Sequence, residues 1–118
     1  MSFYQKGIGK TGESRAEIFL KDQGFSILKS NFQSKVGEID IIAEKNHYLY
    51  FIEVKTRTNT KFGQPYVAVD KRKIHHMKQA ANYFLLKYPH KDYKLRLAVI
   101  SIIFVRDKEE IKFFDNIY

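Results

Sequence analysis

Residues 37–57 read Gly37-Glu-Ile-Asp-Ile-Ile-Ala43, a polar break from Glu44 to His47, then Tyr48-Leu-Tyr-Phe-Ile-Glu-Val-Lys-Thr-Arg57. Ile, Val, Phe and Tyr dominate both halves and polar residues alternate with them, which predicts two strands of a hairpin. Glu38, Asp40, Glu53 and Lys55 occupy positions that would otherwise be apolar. Side chains two apart share a strand face, so the pattern pairs Glu38 with Asp40 and Glu53 with Lys55. A four-residue loop, Lys45 to Tyr48, sets Asp40 directly opposite Glu53, whereas a two-residue loop is expected to leave them diagonal neighbours. Carboxylates at cross-strand Cβ distances of roughly 5 Å repel unless a cation or a proton lies between them. Hard oxygen ligands in a chain without Cys suit Mg²⁺ or Mn²⁺ better than Zn²⁺. The competing reading is a solvated sheet face on which Lys55 neutralises Glu38 or Glu53.

Composition narrows the class. A chain of 118 residues is expected to form one domain, 1–118, and 44% hydrophobic residues with 15% aromatics predict a folded one. The formal charge of +8 tilts the expected partner toward a polyanion such as nucleic acid. The lack of Cys excludes disulfides and thiolate metal sites. No apolar signal segment is visible at the N-terminus, and the longest apolar run, Leu97 to Val105, is too short to span a bilayer. A cytoplasmic protein without membrane contact is the default expectation.

Outside the hairpin, residues 2–10 are Gly-punctuated and basic and read as a flexible lead-in. A first helix is expected to follow and to end near Gly24, with Gly12, Ala16, Phe19 and Leu20 as its buried stripe. Glu13 borders that stripe. It is a candidate to face the sheet, a first-turn acid favoured by the helix dipole, or a residue just outside a helix capped by Ser14 and Glu17. Phe25 to Gln33 reads as an irregular strand, and 58–69 as a connector around Phe62-Gly63-Gln64-Pro65. Asp70 to Tyr88 carries the clearest helical period, in Ile74, Met77, Ala81, Phe84, Leu85 and Tyr88, with Asp70 as N-cap and Pro89 as its stop. The polar side of this helix gathers Lys71, Arg72, Lys73, His75, His76 and Lys78. These cations either hold a nucleic-acid backbone or form a solvated face. His75 and His76 point about 100° apart and cannot chelate one metal together. Leu95 to Phe104 reads as a strand buried on both faces and Glu110 to Asn116 as an edge strand. The aromatic tail Phe113, Phe114 and Tyr118 either covers the protein's own core or forms a dimer interface.

Taken together, Gly12-Glu13, Gly37-Glu-Ile-Asp40, Phe51-Ile-Glu-Val-Lys-Thr-Arg57, Gly63-x-Pro65 and the helix from Lys73 to Ala81 resemble the YraN-like family of small bacterial proteins. That family belongs to the PD-(D/E)XK nuclease superfamily and is similar to archaeal Holliday-junction resolvases. The resemblance spans roughly residues 7–100 and implies an α/β, restriction-endonuclease-like fold: a mixed sheet of about five strands flanked by helices. It implies that Asp40 and Glu53 bind Mg²⁺ or Mn²⁺, with Glu13 completing the metal site and the Val54 carbonyl a candidate contributor, and that Lys55 is the catalytic lysine. Lys71, Arg72, Lys73, Lys78 and Arg57 are then the candidate DNA contacts. The activity implied is that of a metal-dependent DNA endonuclease-like protein, with branched DNA in recombination or repair as candidate substrate. A homodimer and a larger recombination or repair machinery are the candidate partners. The alternative is a non-catalytic nucleic-acid-binding accessory module of the same fold. Family members often carry R-F-D-V-V on the fourth strand, where this chain has Arg96-Leu97-Ala98-Val99-Ile100, so any role of that Asp in substrate or subunit contacts is absent here.

Overall fold

A computed structural model describes residues 3–58 and 70–117, the first eight of them as backbone only. The elements run α1 (Phe3–Asp22), β1 (Ser26–Ser34), β2 (Gly37–Lys45), β3 (Tyr48–Arg57), α2 (Lys71–Lys87), β4 (Lys94–Val105) and β5 (Lys108–Phe114). The five strands form one sheet in the order β1-β2-β3-β4-β5. Neighbours are antiparallel except β3 and β4, which are parallel. Parallel neighbours need a crossover of a dozen or more residues, and α2 provides it. The result is the mixed α/β sandwich expected, with a helix on each face.

The two faces have separate cores. Under α1, Ala16 and Leu20 pack with Phe25, Ile41, Ala43, Ile52, Ala98, Ile100 and Ile102. Under α2, Met77, Ala80, Ala81 and Phe84 pack with Phe32, Ile39, Ile42, Leu49, Phe51 and Leu97. Because both faces of β3 and β4 are covered, their middles read as continuous apolar runs.

Two local features depart from the sequence reading. The segment 3–10, expected as a flexible lead-in, is the first half of α1. Gly7 and Gly9 weaken a helix without forbidding it. Ser14 therefore lies in mid-helix and cannot be an N-cap, which removes the capping-box reading of Glu13. The β2–β3 turn is the shorter of the two alternatives, with two residues, Asn46 and His47, at φ 53° and 65°. These are the positive values a type I′ hairpin turn requires. Lys45 pairs with Tyr48 and Ile41 with Ile52. This register has the same centre as the four-residue alternative and ends at Ile41–Ile52, one step before Asp40 and Glu53, which lie within electrostatic reach of each other.

The expected C-terminus of α1 forms as a Schellman motif. Gly24 takes φ 93°, its N–H donates to Lys21 O, and the Phe25 N–H donates to Leu20 O. At the other helix, Asp70 accepts from Lys73 N at 2.9 Å and caps α2 as expected. The predicted loop at Phe62 to Pro65 lies outside the described residues, as does Tyr118. Phe113 makes edge contacts with Phe25 and Phe19 and so covers the protein's own core.

Gly12 sets the approach of α1 to β3. A methyl group there would collide with Thr56 Cγ2 while lying 3.7 Å from Thr56 Oγ1. Replacing Gly12 by Ala should therefore cost about 1–3 kcal/mol in urea unfolding, through overpacking. Adding Thr56→Ser, which deletes Cγ2, should recover that loss and leave a double variant at least as stable as Thr56→Ser alone, because Ala is the better helix former.

Candidate functional site

The site forms where β2 and β3 part company. Their regular pairing runs to Ile41 and Ile52. One step further, the Val54 N–H donates to Asp40 Oδ2 at 2.8 Å. A side-chain carboxylate thus replaces the backbone acceptor that a continuing ladder would have offered. The alternation of β2 breaks at the same place. Ile39 packs into the α2 core and Ile41 into the α1 core, although residues two apart should share a face. On β1, Asn31 adopts φ 54° between the pairs Ser30–Ile41 and Phe32–Ile39. Asp40 is therefore held at an irregular point in two strands at once. Glu38 is exposed at the start of β2, and its charge acts on Glu13.

Glu53 is the buried member of the group, with 7% of its side chain exposed. Both of its oxygens are matched to ammonium groups. Lys55 Nζ lies 3.3 Å from Oε1, and Lys73 Nζ lies 3.4 Å from Oε2. Lys55 comes from the same strand face, as the spacing predicts. Lys73 reaches in from the first turn of α2, where sequence reasoning placed it among solvated or DNA-facing cations. Lys71 and Arg72 do face solvent. Lys78 lines a cleft of about 390 Å³ with Phe51, Ala81 and Leu97. Arg57 is exposed and donates to the Thr56 carbonyl. His75 and His76 are exposed.

The electrostatics single out Asp40. Its carboxyl is pushed up to about 7, chiefly by burial and then by the Glu53 charge, with Glu13 adding to the rise. The Val54 N–H and the Lys73 charge oppose the shift without cancelling it. Glu13 is also raised, by burial first and then by Glu17, Glu38 and Glu53. Hence α1 brings Glu13 within electrostatic reach of the strand carboxylates, as its place beside the buried stripe suggested. Among the described residues, no three acidic or histidine side chains stand together as a ready-made metal cage. The donor set nevertheless suits a hard divalent cation: Asp40 and Glu53 lie within electrostatic reach of each other, Glu13 is near, and burial makes an uncompensated charge at Asp40 costly.

Ser101 belongs to this site and was missed as a functional candidate. It pairs in register with Lys55 across the parallel β3–β4 ladder, so the two side chains share a face. It is 1% exposed, and its hydroxyl has no hydrogen-bond partner among the described residues. A lone hydroxyl inside the apolar run Leu97 to Val105 was the available signal. Ala98 lies on the opposite face, fully buried under α1 with Ile52 and Ile100. A carboxylate at that position would enter an apolar core.

Comparisons with known proteins place the chain among proteins of one family. The family described as "Uncharacterised protein family UPF0102" matches residues 12–102, which contain every side chain of the site. The chain is similar to a UPF0102 protein of Fusobacterium nucleatum, 45% identical over 96 residues that make up 81% of each chain. It is also similar to one from Caldicellulosiruptor saccharolyticus, 38% identical over 107 residues, 91% of this chain and 90% of that one. A third, from Geotalea daltonii, is 46% identical over 98 residues, 83% of this chain and 77% of the relative.

The raised Asp40 makes stability depend on pH in a defined direction. Between its ordinary value of 3.8 and about 7, the folded protein holds a proton that the unfolded chain has released. Stability from this group is therefore complete below the lower value and lost as pH rises through the upper one. In metal-free buffer, wild type should lose stability to urea between about pH 5 and about pH 8 relative to Asp40→Asn, which keeps an acceptor for Val54 and cannot ionise.

Proposed function

The chain belongs to the UPF0102 family, and from its site we propose that it is a metal-dependent endonuclease acting on DNA in the cytoplasm, with branched DNA of recombination or repair as the candidate substrate. The observation that carries this reading is the neighbouring pair Asp40 and Glu53 with Lys55 on the Glu53 carboxylate, at the end of a central strand in a chain of formal charge +8. A basic domain attracts a polyanion, and converging carboxylates beside an ammonium give the groups that phosphodiester hydrolysis uses.

Asp40 and Glu53 would hold Mg²⁺ or Mn²⁺, with Glu13 supporting them from α1. Bound there, the ion would supply a lowered water pKa and a polarised phosphate. Glu53 keeps Lys55 at a fixed place on the sheet face, so its ammonium is directed to the nucleophile and to the charge that develops on the phosphate. The first turn of α2 carries three cations, Lys71, Arg72 and Lys73, and no acid. Cations at a helix N-terminus oppose the helix dipole. Phosphate groups offset that repulsion, and Lys71, Arg72 and the exposed Arg57 supply contacts to the backbone of either strand. A two-fold dimer would provide two such sites for two strands, and a larger repair assembly would present the substrate.

A second reading rests on one observation: Glu53 already has an ammonium on each oxygen. A site neutralised in this way suits an accessory module that binds nucleic acid and cuts nothing.

Cleavage of a four-way junction, a flap and a linear duplex in Mn²⁺ and in Mg²⁺ separates the two. The endonuclease reading expects metal-dependent cutting that drops about 100-fold or more in Asp40→Ala and in Lys55→Gln. Salt-sensitive binding with no cutting by a folded wild type would overturn it in favour of the accessory module.

A further inference from the structure

We infer that Lys73 is a displaceable stand-in for the metal: its ammonium holds the Glu53 oxygen that a divalent ion needs, and metal loading releases it to a DNA phosphate. The inference rests on the metal-binding reading of Asp40 and Glu53 proposed above and adds a coupling that this reading does not contain.

The geometry is specific. Lys55 occupies Glu53 Oε1 and Lys73 occupies Oε2. The Val54 N–H occupies Asp40 Oδ2. Asp40 also feels the Lys73 charge, so this ammonium is the cation shared by the two carboxylates. A divalent ion held by Asp40 and Glu53 would compete with the Lys73 ammonium for the Glu53 carboxylate, because both are cations seeking the same oxygen. Lys55 has no such conflict, since it sits on the other oxygen.

Lys73 is also the one of the two lysines with somewhere to go. Its backbone is fixed by the Asp70 cap at 2.9 Å, while its side chain is a flexible four-carbon stem carrying a compact charge. Lys71 and Arg72 stand beside it in solvent. A released Lys73 therefore joins an existing cationic turn. The site thus exchanges an internal ion pair for a metal and, in the same step, gains a phosphate contact. The Lys73 ammonium is thus paired to a buried carboxylate and also acts on a second acid, Asp40, which a cation free in solvent would not do.

The test is thermal melting of the metal-free protein across a Mn²⁺ titration, without DNA, since a ligand of the native state raises the melting point. Lys73→Gln should lower the Mn²⁺ concentration for half-maximal stabilisation about tenfold, the scale of removing one competing unit charge from a partly buried site. Lys73→Arg, whose guanidinium grips a carboxylate more firmly, should raise it. Lys71→Gln, which removes a neighbouring cation unpaired to Glu53, should leave it nearly unchanged. Binding of a labelled phosphorothioate duplex then reads the release. Without Mn²⁺, Lys73→Gln and wild type should have the same salt dependence, and with Mn²⁺ the wild type should exceed the variant by about one phosphate contact.

A wild type whose melting point ignores Mn²⁺ would overturn the metal site and this inference together. A normal wild-type rise with the same midpoint in Lys73→Gln and Lys73→Arg would overturn the inference alone. An equal DNA-binding deficit of Lys73→Gln with and without Mn²⁺ would also overturn it, because Lys73 would then be a permanent DNA contact.

Discussion

The burial of the Glu53 carboxylate is the constraint on which the rest of the structure turns. An ionised group taken out of water costs several kcal/mol unless close partners replace the lost solvation. Here the partners arrive from two elements, Lys55 from β3 itself and Lys73 from α2. The second requires α2 to stand at one height over the sheet. Asp70 fixes where the helix begins, and Met77, Ala80 and Phe84 press it onto β2 and β3. Gly37 permits the approach at the opposite edge, since a Cβ there would lie 2.8 Å from the His76 carbonyl oxygen. The apolar core and the polar site are thus two consequences of one helix position.

The site concentrates features that a sequence selected for stability alone would avoid. Among the described residues, Asp40 is half-buried with no ammonium paired to it and Ser101 has a buried hydroxyl with no partner, and three cations crowd a helix N-terminus. Each is a local cost: a desolvated acid, an unmade hydrogen bond, and charges opposed to a dipole. All three lie around the same end of β3, away from the buried apolar middle of that strand, Leu49, Phe51 and Ile52. Local rules that fail together in one place mark a functional region better than any one of them does alone.

Much of this was legible in the sequence because strand periodicity is a strong signal. The hairpin, the closeness of Asp40 and Glu53, the helix capped by Asp70 and the buried fourth strand all follow from alternation and turn chemistry. What escaped depended on tertiary height and not on period. Lys73 belongs to the polar side of α2 by spacing, and nothing in spacing tells that its four-carbon stem reaches a carboxylate on the adjacent sheet. The first half of α1 escaped because Gly7 and Gly9 punctuate a segment whose helicity is decided by the turns that follow it. The turn at Asn46 and His47 was underestimated because neither residue is Gly, although Asn is among the residues that tolerate positive φ best.

On the proposed reading, charge counting links protonation, metal and DNA at this site. With Glu13, Asp40 and Glu53 all ionised against Lys55 and Lys73, the cluster carries one net negative charge. A proton on Asp40, whose carboxyl lies at about 7, removes that charge, so near neutrality a proton and a cation compete for the same deficit. A divalent ion that displaced both the proton and Lys73 would keep the cluster at zero net charge and set an ammonium free at the surface. The freed charge would lie on the side where Lys71 and Arg72 already stand. On that reading a polyanion would be drawn more strongly to the loaded site than to the empty one, and the ordering would follow from where three charged side chains sit and not from the fold that carries them.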